Sequence, residues 1–96
     1  MAAYFIVDQL EVTDREGMKP YMEGVAATIE QYGGRFIVRG GDFEPKEGDW
    51  APKRVIVLEF PDMATLNAWY DSPEYTPLKE IRLACSRSNA IMVEGA

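Results

Sequence analysis

The run Arg54-Val55-Ile56-Val57-Leu58-Glu59-Phe60 is the strongest β-strand signal in the chain, and both of its alternating faces are apolar. One face carries Arg54, Ile56, Leu58 and Phe60; the other carries Val55, Val57 and Glu59. A strand of this kind has to be covered on both sides. The chain has 96 residues, which is enough for one domain and one core but too few for two. Whatever helices it contains can cover one face of a sheet, and the other face is left bare.

The rest of the chain supplies those helices. Ala3 to Val12 is rich in Tyr, Phe, Ile, Val and Leu and reads as the first strand. Thr13 and Asp14 are N-cap residues, and Met18, Met22, Val25, Ile29 and Tyr32 then form one stripe of an amphipathic helix. Gly33-Gly34 stops it. Arg35 to Arg39 is a second strand closed by Gly40-Gly41, followed by a polar connection from Asp42 to Pro52. After the third strand, Pro61-Asp62 opens a second helix, which Asp71-Ser72-Pro73 splits. Tyr75, Leu78, Arg82 and Cys85 share a face of the continuation. Ser88-Asn89 reads as a break before a short last strand, Ala90 to Glu94. The order βαββαβ with right-handed crossovers predicts a ferredoxin-like α+β sandwich over residues 1–96: a four-stranded antiparallel sheet with helices on one face.

Strand alternation then sorts the residues. Ile56, Leu58 and Phe60 point to the helices and Glu59 to the bare face. In the second strand Phe36 and Val38 are assigned inward and Arg35, Ile37 and Arg39 outward. In the last strand Ile91 and Val93 are assigned inward and Ala90, Met92 and Glu94 outward. The first strand fits either way, with Asp8 placed on the bare face. That face mixes apolar residues with Arg39, Glu59 and Asp8, and a large exposed apolar area marks an interface. Two sheets pressed together would make a homodimer in the form of a dimeric α+β barrel. Arg39 and Glu59 would then either pair to fix register, or face a wet cavity as an anion-holding guanidinium and a base. Both alternatives stay open at this level.

Several stretches are familiar together: Gly33-Gly34-Arg35-Phe36, Arg39-Gly40-Gly41, Glu47-Gly48-Asp49-Trp50, Glu59-Phe60-Pro61 and Ala68 through Tyr75. In this order they resemble the family of domains of unknown function numbered 1330. The family looks like a branch of the dimeric α+β barrel superfamily, which includes cofactor-independent monooxygenases, muconolactone-type isomerases and haem-associated enzymes. The resemblance implies the same fold and the sheet-to-sheet dimer. It supplies no activity and no catalytic residue, and the lack of His departs from those members that use one.

The remaining features narrow the chemistry. With no His and one Cys, the chain offers no Ser-His-Asp site, no His-ligated zinc or haem and no intrachain disulfide. Ten basic and sixteen acidic residues give a net charge of −6, which speaks against nucleic acid and against an anionic membrane surface. No apolar run is long enough to span a bilayer, and no basic segment precedes Met1 to Val7 as in a secretory signal; a cytoplasmic protein is expected. Neither Gly pair is a phosphate loop, Cys85 reads as a buried inert thiol, and Lys46, Lys53 and Arg54 read as solvated surface. Trp69, Tyr70 and Tyr75 flank the helix break as core aromatics or, alternatively, as walls of a small ligand site. Trp50 is expected to pack across the dimer or over a pocket mouth. Two functions follow: a metal- and cofactor-independent enzyme acting on a small organic compound, with Glu59 and Arg39 as its polar pair, or a non-catalytic homodimer that binds a small molecule or is purely structural.

Overall fold

The computed structural model describes all 96 residues. The elements run β1 (Ala3–Val12), α1 (Arg15–Gln31), β2 (Arg35–Arg39), β3 (Val55–Phe60), α2 (Met63–Tyr70), α3 (Thr76–Cys85) and β4 (Ser86–Glu94). The strands form one sheet in the order β2-β3-β1-β4, each pair antiparallel. This is the ferredoxin-like α+β fold, and no helix is long and apolar enough to cross a membrane.

Local chemistry sets the boundaries. The Asp14 carboxylate accepts a bond of 3.0 Å from the Gly17 N–H and caps α1. Gly33, at φ 77°, turns the chain out of α1, and the Gly34 N–H bonds back to the Ile29 carbonyl at 2.9 Å. Asp62 caps α2 by accepting from Thr65 N–H at 2.7 Å. Ser72 holds the break between α2 and α3: its hydroxyl donates to the Trp69 carbonyl at 2.7 Å and accepts from the Tyr75 N–H at 3.0 Å.

The core lies between the helices and the inner face of β1 and β3, where Phe5, Ile29, Phe60, Leu66, Trp69 and Tyr75 are buried. Trp69 is its centre. The indole stacks on Tyr75 at 4.0 Å between centroids, and its N–H donates to the Thr28 hydroxyl at 3.0 Å. Trp69 is therefore core, with its polar atom satisfied.

The faces of β1 and β3 are as the alternation predicts: Phe5 and Val7 inward with Leu58 and Phe60, Asp8 outward with Val57 and Glu59. Three expectations are corrected. β4 begins at Ser86 rather than Ala90, because Arg87, Ser88 and Asn89 pair with Glu11, Gln9 and Asp8; ladder pairing overrides the weak β propensity of Ser and Asn. Its faces are also the reverse of those expected. Met92 lies opposite Phe5 and packs on the core, while Ile91 (61% exposed) and Val93 (40%) stand on the bare face. The more apolar set points outward because the outer face is itself apolar.

The third correction is in β2. The register shifts between Phe36 and Val38, so that Phe36 pairs with Leu58 but Val38 pairs with Val57 and Arg39 with Ile56. This bulge turns Val38 out and Arg39 in, toward the helices. Arg39 is not on the bare face.

A Cβ at Gly34 would lie 2.5 Å from the ring of Phe60, which is buried and cannot move aside. Gly34→Ala is expected to destabilise the fold by about 1–3 kcal/mol, read as a lowered urea midpoint with an unchanged slope.

Candidate functional site

Since Arg39 and Glu59 lie on opposite faces of the sheet, the expected pair between them does not form. Glu59 is held instead by Arg35, its cross-strand neighbour, through two bonds of 2.9 and 2.8 Å. The Arg39 guanidinium lies 4.1 Å over the ring of Phe36 on the helix side.

There it joins a different group of residues. A cavity of about 40 Å³ lies behind the sheet under α1. Its apolar walls include Phe5, Val25, Ile29, Phe36 and Leu58, and its polar lining is Gln9, Tyr21, Arg39, Arg54, Arg82 and Ser88. An open bowl of about 240 Å³ shares Gln9, Met22 and Arg54 with it and adds Arg15. No Asp or Glu lines either space.

The polar groups come from five elements, β1, α1, β2, α3 and β4, and from Arg54 just before β3. Gln9 and Ser88 are cross-strand partners, and the Gln9 N–H bonds the Arg54 carbonyl at 2.8 Å. The three side chains thus share one end of the sheet's inner face. Arg54 lies across Gly40, where a Cβ would come within 2.6 Å of its Nε; the glycine at φ 72° leaves room for the guanidinium. Arg82, on the buried face of α3, donates from Nε to the Tyr75 hydroxyl at 3.2 Å, and Tyr75 lies 3.3 Å from the Tyr21 hydroxyl. Either phenol can donate in that last pair, so Arg82, Tyr75 and Tyr21 form one continuous hydrogen-bonded chain that ends at the cavity.

Burial raises the Tyr21 pKa well above the ordinary range, and the neighbouring Tyr75 adds to it, so the phenol stays protonated. Burial works against the charge on Arg82. The Tyr75 and Tyr21 oxygens outweigh it and hold the pKa above its ordinary value. All the charged side chains of the cavity are therefore cations, and Tyr21 is a donor.

The other predicted site residues lie elsewhere. Trp69 is core. Tyr70 is half-buried under the Lys79 ammonium, 4.1 Å from its ring. Tyr75 is buried and reaches the site through its hydroxyl. Arg54 was expected at the surface, although the alternation of β3 already set it on the same side as Ile56 and Leu58. Tyr21 falls between the helical positions of the apolar stripe, and nothing in the spacing singles it out. Cys85 is half-buried, and no three His, Cys, Asp or Glu side chains converge on a point where they could hold a metal.

The family model of the domain of unknown function DUF1330 matches residues 2–96. The chain belongs to the DUF1330 family. Its structure is similar to a protein of unknown function from Rhodopseudomonas palustris, at 17% identity and TM-score 0.74, covering 99% of this chain and 82% of that one. It is similar also to a dimeric ferredoxin-like protein of unknown function from Jannaschia sp., at 19% identity and TM-score 0.70, covering 99% of this chain and 100% of the other. A more distant likeness, at 14% identity and TM-score 0.55 over 100% and 99% of the two chains, is to an antibiotic biosynthesis monooxygenase. No curated protein matches the sequence.

On the bare face, this DUF1330 domain places Asp8, 5% exposed, at the foot of the connection between β2 and β3. Its carboxylate accepts from the Trp50 indole at 3.0 Å and from the Lys53 N–H at 2.9 Å, which ties the loop to the sheet. Burial pushes the Asp8 pKa up, but these bonds outweigh it and the net shift is downward from 3.8. A lowered folded pKa means that the tie is intact above the ordinary Asp value and is lost as pH falls through the folded one. Trp50 fluorescence is expected to stay constant from neutral pH down to about 3.8 and to change only below it. Asp8→Asn is expected to alter the emission already at pH 7 and to remove the acid step.

Proposed function

We propose that this DUF1330 protein is a homodimer closed through its bare sheet faces, with a small-molecule site in each subunit between the sheet and α1. The observation that carries the second part is the composition of the cavity: apolar walls, with guanidinium, phenol and hydroxyl groups at one end and no carboxylate. Such a set binds a compound with an apolar body and stabilises negative charge on it. It provides no side-chain base, because Glu59 is on the other face and Tyr21 remains protonated.

Binding is therefore the first reading. Cofactor-independent catalysis of the monooxygenase or isomerase kind is the second. It is favoured by the Arg82–Tyr75–Tyr21 chain of hydrogen bonds, which would polarise a carbonyl oxygen as it becomes an enolate. In either reading Arg39, Tyr21, Arg54 and Arg82 touch the ligand, and the Arg35–Glu59 pair belongs to the dimer seam.

The dimer is supported by the apolar residues on the bare face, Ile91 and Val93 among them, and by the dimeric description of the relative from Jannaschia. Sedimentation is expected to give a dimer, and Ile91→Glu a monomer that stays folded. A wild-type monomer at micromolar concentration would overturn it.

The site is tested by NMR titration of the labelled protein with phenol. Amide shifts are expected at Tyr21, Val25, Arg39 and Ser88. Shifts clustered around Trp50 and Ile91 instead would remove the cavity reading.

A further inference from the structure

We infer that the ligand of this cavity is a small organic carboxylate, held by arginines that have no carboxylate partner in the protein itself. The inference rests on the small-molecule reading above and adds the chemical class.

The chain has six arginines. Arg35 is paired with Glu59 and Arg87 with Glu11. The other four, Arg15, Arg39, Arg54 and Arg82, have no Asp or Glu oxygen within 4.0 Å, and these are the four that line the cavity or its bowl. Acids outnumber bases sixteen to ten in this chain. Four arginines kept clear of acids in one place are therefore a feature to be explained.

Arg82 sharpens the point. It is 7% exposed, and a hydroxyl is the partner of its Nε. A buried charge without a counter-ion is costly, and an incoming anion would supply the counter-ion. In the same lining the Ser88 hydroxyl is buried and has no hydrogen-bond partner, and the Tyr21 phenol ends the chain of bonds from Arg82. A carboxylate has two oxygens and several acceptor positions, which match a guanidinium, a phenol and a serine hydroxyl together.

Size sets the rest of the ligand. The closed cavity of about 40 Å³ has room for roughly three waters on that measure, the scale of one carboxylate group. The adjoining bowl of about 240 Å³ can take an apolar body of the size of one ring. With the cavity it comes near the roughly 300 Å³ typical of small ligand sites. Met22, on the wall between them, is 48% exposed and flexible enough to shift as the ligand enters.

The test compares phenylacetate with its neutral isostere phenylacetamide, by NMR titration and calorimetry, on the wild type and on Arg82→Met and Arg54→Gln. Phenylacetate is expected to bind with shifts at Tyr21, Arg39 and Ser88, at least about tenfold tighter than the amide, and to weaken as salt rises. Arg54→Gln is expected to weaken phenylacetate more than it weakens phenylacetamide. Arg82→Met is expected to lower phenylacetate affinity by about tenfold or more. The same variant is expected to leave the melting temperature of the unliganded protein little changed, because the buried charge it removes and the Nε–Tyr75 bond it removes act in opposite directions. A purely structural arginine would lower it on substitution. Equal binding of acid and amide in the cavity would overturn the carboxylate assignment while leaving the small-molecule reading intact. Binding of neither, or of both at the Trp50 face, would remove both. Loss of melting temperature in Arg82→Met with phenylacetate affinity retained would show Arg82 to be structural and sink the inference.

Discussion

A single layer of helices covers a sheet that is apolar on both sides, and most of the molecule is arranged around that imbalance. β1 and β3 are the central strands, so each position on them has a helix on one side and a bare surface on the other. The inner side is filled by the cluster around Trp69, whose ring contacts Phe5, Phe60, Tyr70 and Tyr75. Those aromatic contacts take up the half of the inner face nearest α2. Toward the other end, under α1, the filling changes from rings to Arg39, Arg54, Arg82 and Gln9. A core that is close-packed at one end and polar at the other has its room for a ligand at the polar end, where side chains are less interlocked.

The bulge in β2 is what assembles that end. Without it, strict alternation would leave Arg39 on the same face as Glu59, opposite Val55, and put Val38 against the helices. With it, one guanidinium moves from the face that carries Asp8 and Glu59 to a cavity whose lining has no carboxylate. Gly40 follows immediately and leaves space for Arg54. Two arginines that alternation alone would separate are thus brought to one side by a one-residue shift in register and a glycine. This is a common use of bulges, which re-aim a side chain at the cost of a ladder bond.

The legible parts of the sequence were those where period and capping agree. The boundaries of β1 and β2 and the caps Asp14 and Asp62 follow from local chemistry, and so does the Ser72 turn. The faces of β3 follow from alternation; those of β1 fit either way in the sequence and are settled by its pairing with β3, which sets Phe5 opposite Leu58. Two kinds of signal are not local. The bulge depends on how β2 meets β3, and nothing in Arg35-Phe36-Ile37-Val38-Arg39 marks it. The orientation of β4 fails for another reason: placing the more apolar set inward is a rule for a sheet with one polar face, and here the register with β1 sets Ile91 and Val93 on the bare face. Ser88 and Asn89 look like a break because their propensities are weak, yet β1 supplies the partners that propensity cannot see. The site inherits these errors. Its residues come from β1, β2, α1, α3 and β4, the N-terminal flank of β3 adds Arg54, and only the assembled fold shows that the arginines share a cavity.

Why a chain of net charge −6 should keep four arginines unpaired has a thermodynamic answer. Exposed guanidinium groups lose little by lacking partners, because water screens them. Arg82 is different, since it is buried and lies beside phenols rather than carboxylates. The protein tolerates this because the Tyr75 oxygen takes one N–H and the α3–β4 corner holds the backbone there, with the Ser86 hydroxyl donating to the Arg82 carbonyl at 2.5 Å. The arrangement is thus fixed before any ligand arrives. The surrounding acids are kept on the outer surface, and their field is screened within about 10 Å at ordinary salt. The charged side chains lining the cavity are all positive despite the overall charge, and this is the surrounding that the proposed carboxylate would meet. Stabilisation by such an anion would follow mass action, growing with the logarithm of its concentration over Kd.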